Sequence, residues 1–108
     1  MHAKVAKVVF AERGGTIARR TPMSLPIAQE VIRTVESARG PVVKLPTMGA
    51  TVPLEAFERP LGAPTIIVPI ANHDDNQHSA DENLRLQNLW DGIEIYAALF
   101  AGLGAGPQ

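Results

Sequence analysis

Apolar residues recur at helical spacing in the first half of the chain. Four of them share one face of a helix: Ile27, Val31, Ile32 and Val35. Pro26 suits the first turn of such a helix, because its ring fixes the backbone angle and its missing N–H has no partner there. Gly40 and Pro41 follow and end the pattern. The spacing therefore predicts an amphipathic helix from about Pro26 to the residue before Gly40.

A second helical pattern occupies the end of the chain. Its apolar residues step by three and four positions: Leu86, Leu89, Trp90, Ile93, Tyr96, Ala97 and Phe100. Asn88 and Asp91 place polar and acidic groups near its start, where the helix dipole favours them. The pattern predicts a final helix with one apolar face.

Between these helices the pattern favours strands. Residues 42–45 read as a short strand, and residues 65–70 form an almost unbroken apolar, β-branched run, which is typical of a strand covered on both faces. Two more short strands are predicted at residues 8–10 and 16–20, on either side of a glycine pair. A short helix is predicted near residues 54–57. This order of elements predicts an α/β layered domain whose sheet has few strands.

Composition narrows the possible functions. The chain has 108 residues, enough for one domain with a modest core, and its formal charge is −1. A nearly neutral surface without a basic stripe argues against a nucleic-acid partner. There is no cysteine, so any metal site must use histidine and carboxylate ligands. No apolar stretch reaches membrane-spanning length, and we expect no membrane partner and a cytoplasmic location.

The segment at residues 72–85, "NHDDNQHSADENLR", carries the most chemistry. It contains two histidines and four acids, which is the ligand set of a zinc or manganese site, and it follows the predicted strand 65–70, where α/β sheets place ligands. His73 and His78 are five positions apart, a spacing that no regular helix or strand presents on one face. Turns also collect Asn, Asp and Ser, and Ser79 with Glu82 fits a capping box. A metal-binding loop and a solvated turn both fit these residues.

Two other places could bind an acidic ligand. In "PTMGATVP", Gly49 permits close backbone approach and Thr51 offers a hydroxyl beside backbone N–H groups, a combination that suits a carboxylate. A simple turn has the same composition. Arg19 and Arg20 could also meet an acid, but arginines beside an extended connector more often form a solvated surface, and that is the interpretation we favour.

The run from residue 46 to residue 99 resembles the carboxy-terminal end of the catalytic domain in the aminoacylase, carboxypeptidase and succinyl-diaminopimelate desuccinylase family of dinuclear zinc hydrolases. The most specific piece is the segment 72–85, and "RRTPMSLPIAQEVIRTVE" resembles the return from the inserted lid domain. The resemblance implies an α/β fold: the carboxy-terminal portion of a three-layer α/β/α zinc-exopeptidase catalytic domain, incomplete in this chain. Residues 1–21 would end the lid (dimerisation) domain, and residues 22–108 would belong to the catalytic domain.

The resemblance also implies roles for single residues. His78 falls on a histidine that ligates one of two zinc ions, and Glu82 on an acid that supports it. Gly49 and Thr51 correspond to a turn that holds the substrate near its carboxylate, although Ala50 replaces a glycine there. Asn72 corresponds to an asparagine of the same pocket. In such enzymes two zinc ions, or other divalent metals, activate water to hydrolyse a small peptide or an N-acyl amino acid.

The remaining parts of that machinery are missing from the sequence. The family uses an early His-x-Asp, a bridging aspartate and a Glu-Glu pair, and no Glu-Glu occurs here. His73 opens "HDD" but lies inside the His78 loop, so we interpret that match as coincidental. The leading hypothesis is a carboxy-terminal piece of a zinc hydrolase that is inactive alone. The alternative is a non-catalytic module that pairs with a separate amino-terminal chain or with its own copies through the exposed sheet edge, and the absence of the upstream ligands supports it. Because residues 65–70 and the apolar face of the last helix would lack the neighbours that cover them in the family, we also expect association or partial disorder.

Overall fold

The computed structural model describes residues 15–50 and 52–104 of the chain. Three α-helices account for its regular structure: α1 Pro26–Arg39, α2 Glu55–Leu61 and α3 Leu86–Gly102. The predictions for α1 and α3 are confirmed, and the short helix predicted near residues 54–57 is present and continues to Leu61. The predicted strand at residues 8–10 lies outside the described residues.

Helix α1 begins and ends where the sequence predicts. Pro26 is its first residue, and the N–H of Gly40 closes the last turn by donating to the carbonyl of Glu36 at 2.8 Å. Gly40 has a φ of 84°, a conformation that residues with a side chain rarely adopt, so glycine suits this end. Ala28, Val31 and Val35 are buried along the inner face. This face packs against α3.

The core is a small cluster between α1 and α3. Val31 and Val35 of α1 contact Leu99 of α3, and five partly buried side chains surround them: Val42, Ile66, Val68, Ile95 and Leu103. An ion-pair clamp joins the same helices at the surface, where Arg39 lies 2.5 Å from Asp91 and 2.9 Å from Glu94. Apolar burial therefore holds the helix pair together and the clamp adds little, because exposed ion pairs are weak.

The α/β fold class predicted from the sequence is wrong for the part of the chain that the structure describes. Residues 16–20, 42–45 and 65–70 contain no strand, so these residues form no layer of a three-layer α/β/α domain. A strand exists only when a neighbour pairs with its backbone, and no backbone hydrogen bond joins residues 42–45 to residues 65–70. Pro41 and Pro46 flank the first of these two segments, Pro64 precedes the second and Pro69 lies within it, and none of them donates an N–H. These segments have the composition of strands without a partner to pair with.

Side-chain hydroxyls hold residues 65–70 instead. Thr21 Oγ1 donates to the carbonyl of Thr65 at 2.6 Å, and Tyr96 Oη donates to the carbonyl of Val68 at 2.8 Å. Ile66 and Val68 are half-buried against the core, whereas Ile67 is exposed. The prediction that this segment is covered on both faces is therefore wrong, because it packs on one side only.

Gly92 allows this segment to lie against α3. A Cβ added at Gly92 would lie 2.7 Å from Cγ2 of Ile70, closer than real Cβ atoms approach, and 3.0 Å from its Cβ, which is a tight contact. Rotation of the Ile70 side chain could move Cγ2 but not Cβ, so the segment would also have to shift by a few tenths of an ångström. Glycine therefore suits this close approach.

Helix α3 has two apolar faces, and only one of them is covered. Leu99 and Gly92 are buried against α1 and the segment 65–70. The other face carries an apolar stripe that is exposed along the helix; we call it the α3 stripe, and it consists of Leu86, Trp90, Ile93, Ala97 and Phe100. This agrees with the expectation that the apolar face of the last helix lacks a neighbour.

The chain exposes far more surface than a compact protein of its mass. Its accessible surface is 9340 Å², whereas a folded chain of 11.6 kDa is expected to expose about 5,800 Å². The radius of gyration is 18.7 Å, against about 13 Å for a globular chain of this length. Among the helices described, none has both the length and the apolar content needed to cross a membrane.

Candidate metal-ligand loop

Residues 72–85 form a polar loop that leads from the segment 65–70 into α3; we call it the His78 loop. Asn72 lies at its start and is 5% exposed, the one buried polar side chain among the residues described. Its Nδ2 donates to Oδ1 of Asp74 at 2.8 Å and to Oδ1 of Asn83 at 3.2 Å, and its Oδ1 accepts the backbone N–H of Arg85 at 3.0 Å. One amide therefore joins both ends of the loop.

Further contacts near Asn72 join the two arms of the loop. The N–H of Asn83 donates to the carbonyl of Asp75 at 2.8 Å, and Nη2 of Arg85 lies 2.5 Å from Oδ2 of Asp74. Beyond this closure, the N–H of Gln77 donates to Oδ1 of Asp75 at 3.0 Å, which is a turn that aspartate favours. The two arms of the loop are thus bound to each other independently of α1.

The tip of the loop has an unusual backbone. Asn76, His78 and Asp81 have φ angles of 55°, 64° and 59°. This left-handed conformation is costly for residues other than glycine, least so for Asn and Asp, and it persists where surrounding contacts enforce it. The closure described above supplies such contacts. The capping box considered for Ser79 and Glu82 does not form, because α3 begins at Leu86 and Arg85 precedes it.

The predicted metal ligand lies at this tip. The ring of His78 is exposed and makes no hydrogen bond or ion pair with the residues that the structure describes. Glu82, predicted to support it, is also exposed and has no such partner. No group of three or more His, Cys, Asp or Glu residues within the described ranges could hold a metal ion. The residues present therefore do not fit a zinc site by themselves.

The electrostatics of the loop centre on Asp74. The hydrogen bond from the Asn72 amide lowers the pKa of Asp74, partial desolvation opposes this, and the guanidinium of Arg85 lowers the pKa further. His73 contributes in the same direction. Asp74 is therefore a stable anion at neutral pH, and it holds Asn72 and Arg85 on opposite sides of one carboxylate.

The other predicted substrate contacts lie elsewhere or cannot be located. Gly49 is exposed, has no positive φ, and a Cβ added there would meet nothing within 4 Å. Position 49 therefore does not require glycine in this structure. Thr51 lies outside the described residues. Ala50 lines an open apolar cavity of about 600 Å³.

That cavity is separate from the His78 loop. It is lined by α1, the residues before it, the segments 42–48 and 65–69, several residues between 50 and 58, and Ile95 of α3, and no residue of the loop lines it. Arg19 is at its edge but is paired with Glu55 at 3.3 Å and Glu58 at 3.5 Å, and these ion pairs join the residues before α1 to α2. Arg20 also lines the cavity and is exposed. The structure does not bring Gly49, Asn72 and His78 together in one cleft.

Sequence reasoning missed three members of the loop closure: Asp74, Asn83 and Arg85. The available signal was their placement, since polar residues stand on both sides of His78 at similar separations: Asp74 before it, and Asn83 and Arg85 after it. Residues of this kind that flank a loop can bond across its base. Which of them pair depends on the path of the chain, and the spacing does not specify that path.

No protein-family model matches the chain, and no curated protein or solved structure matches it.

Proposed function

We propose that this chain supplies one imidazole ligand, His78, to the active site of a zinc-dependent metallopeptidase or amidohydrolase. The observation that supports this proposal is the exposed His78 ring, which has no partner among the described residues and stands on a loop closed at its base by Asn72. A ring held this way is available to a metal. The resemblance of residues 72–85 to the zinc-exopeptidase family supplies the chemistry: hydrolysis of a small peptide or an N-acyl amide next to a carboxylate.

The same proposal requires other polypeptide. A catalytic zinc takes three protein ligands and an open position, and two ions need more ligands still. The described residues contain no such group. We therefore assign the remaining ligands and the general base to sequence outside this chain, and we expect the chain alone to be inactive. Zinc is the expected metal, although one imidazole also accepts other divalent ions.

The experiment is a complementation assay. The purified chain is mixed or fused with a polypeptide from the same genome that carries a His-x-Asp and a Glu-Glu pair, encoded next to it. Hydrolysis of N-acyl amino acids and dipeptides is measured with and without added zinc. We expect activity only in the combination, lost in His78→Ala and largely kept in His73→Ala.

His73→Ala is the matched control because it removes an imidazole from the same loop. Equal losses in both variants would overturn the assignment of His78. Zinc-dependent turnover by the chain alone would overturn the requirement for other polypeptide. Titration of zinc into the isolated chain gives an independent measure, since we expect weak binding that perturbs the NMR signals of His78 first.

A second candidate function is association through apolar surface. The surface excess described above and the α3 stripe support it, since Trp90 is 55% exposed and Phe100 is 87% exposed. Monomeric proteins rarely leave a continuous patch of this kind uncovered. In this reading the chain is a non-catalytic module that pairs with its own copies or with a separate amino-terminal chain.

Two substitutions of equal exposure separate the possible association faces. Phe100 on the α3 stripe and Val43 beside the cavity are both 87% exposed. Phe100→Glu should dissociate complexes held by the α3 stripe, while Val43→Glu should leave them intact, as measured by light scattering after size-exclusion chromatography. The reverse pattern would assign association to the face beside the cavity. A monomeric wild-type chain would rule out self-association. The predicted cytoplasmic location belongs to this proposal and stays a prediction.

A further inference from the structure

Asn72 differs from the other polar residues of the chain in its burial. It is 5% exposed, although it belongs to a loop whose other residues are exposed or half-buried. A buried amide without partners is costly, so its bonds determine whether it stabilises the surrounding structure. Both polar atoms of its side chain are bonded within the chain, Nδ2 to Asp74 and Asn83 and Oδ1 to the backbone N–H of Arg85.

These bonds connect residues that are distant in sequence. Asp74 is two residues after Asn72, whereas Asn83 and Arg85 are 11 and 13 residues after it. The amide therefore spans the base of the loop, and His78 stands between the two arms. Because Asn72 is buried and both hydrogens of its amide are already donated, a substrate could accept a hydrogen bond from this amide only by breaking one that closes the loop.

The loop tip depends on this closure. Three residues with side chains adopt left-handed backbone there, His78 among them. Such conformations relax when the contacts that enforce them are removed. A change at Asn72 should thus alter the backbone of His78 even though the structure gives no direct bond between the two residues.

We propose that Asn72 is a positioning residue: by joining the two arms of the His78 loop it fixes the backbone of His78, and so the point from which the imidazole projects, and it does not bind substrate. The loop closure stands on the geometry alone. Only the statement that His78 binds a metal rests on the proposed function.

The test uses NMR of the full chain in three variants. Asn72→Ala removes the amide, Asn83→Ala removes one of its acceptors, and Gln77→Ala is the control. Gln77 is exposed, next to His78, and its side chain has no partner in the described chain. Two observables are followed: hydrogen exchange of the Arg85 amide, which donates to Asn72, and the chemical shift of the His78 amide.

In Asn72→Ala we expect the Arg85 amide to lose its protection and the His78 shift to move toward the unfolded value. Asn83→Ala should cause a smaller change in the same direction, and Gln77→Ala almost none. Signals from α1 and α3 should stay in place in all three. If Asn72→Ala unfolds the helices, Asn83→Ala decides. Unchanged His78 signals in a folded Asn72→Ala or Asn83→Ala chain, or an equal change in Gln77→Ala, would overturn the proposal.

The complemented enzyme gives a second measurement. Loss of a residue that orients a metal ligand typically lowers activity or metal affinity by about 10- to 100-fold. We expect Asn72→Ala to lower kcat with little change in KM, whereas loss of a substrate contact would raise KM. If the enzyme assay fails and the NMR result holds, the metal function is wrong and the positioning role stands.

Discussion

The His78 loop and the apolar segments beside it differ in how far the chain provides partners for its own residues: hydrogen-bond partners for the buried polar groups of the loop, and covering neighbours for the apolar side chains. In the loop, the buried amide of Asn72 has its partners within 13 residues. In the apolar part, Val43, Ile67 and the α3 stripe remain exposed. Hydrogen bonds are short-ranged and can be completed locally, whereas apolar surface needs a large neighbouring area to cover it. The buried amide of the loop therefore has all its side-chain bonds, whereas the apolar part of the described residues leaves much of its surface uncovered.

The largest expected effect tests which face of α3 is covered. Leu99→Ala should cost about 2–4 kcal/mol, because it empties part of a core with few buried residues. Phe100→Ala, at the next position of the same helix, should stay within about 0.5 kcal/mol because that side chain is exposed. Chemical denaturation followed by circular dichroism measures both. Similar losses would mean that the α3 stripe is covered in solution.

The next effect tests the close approach of α3 to the segment 65–70. Gly92→Ala should destabilise by about 1–3 kcal/mol, since the overlap with Ile70 exceeds the gain in helix propensity. Gly102→Ala is the matched control, because its added Cβ would lie 3.6 Å from Thr34 in ordinary contact. The double variant Ile70→Ala with Gly92→Ala should recover part of the loss relative to the sum of the single changes. Equal thermal stability of Gly92→Ala and Gly102→Ala would contradict the packing.

A smaller effect tests the loop through pH. The folded pKa of Asp74 is lowered from its ordinary value of 3.8, so its contribution to loop stability is present above that value and is lost as pH falls through the lowered pKa. We expect the carboxyl carbon signal of Asp74 to titrate below pH 3.8 and the Arg85 amide to change with it. In Asn72→Ala the midpoint should rise toward the ordinary value. A midpoint that does not depend on residue 72 would contradict the bond.

The smallest effect concerns the clamp between α1 and α3. Arg39→Ala removes both exposed ion pairs, to Asp91 and to Glu94, and should lower thermal stability less than Gly92→Ala does. High salt should reduce the difference between the variant and the wild type, because salt screens exposed charges. A loss comparable to that of Leu99→Ala would contradict this ranking, because it would show that the clamp contributes as much as a buried core side chain.

The helices could be predicted from the sequence because their signals are local. Pro26, the spacing of Val31 and Val35, and Gly40 define α1 within 15 residues. The covered face of α3 could not be chosen in the same way, because two faces of that helix are apolar and only tertiary contact selects Leu99 over Phe100.

The strand predictions failed for a related reason. The composition of residues 65–70 describes a segment suited to pairing, yet pairing depends on a partner distant in sequence. Because nearly every residue of the segment is apolar, its composition also could not show which side is covered. The metal-ligand assignment came from resemblance, and the role of Asn72 required the path of the chain, since Asn72 and Asn83 meet only when the loop closes.

The two hydrogen bonds from side-chain hydroxyls to the segment 65–70 prevent it from shifting along its own direction. The hydroxyls of Thr21 and Tyr96 donate to carbonyls three residues apart, at positions 65 and 68. A shift of the segment by one residue would break both hydrogen bonds, and in one direction it would place Pro69 against the helices where Val68 now lies. A segment without the backbone hydrogen bonds of a sheet can therefore still keep one register, provided that two neighbouring side chains bind it at separate points.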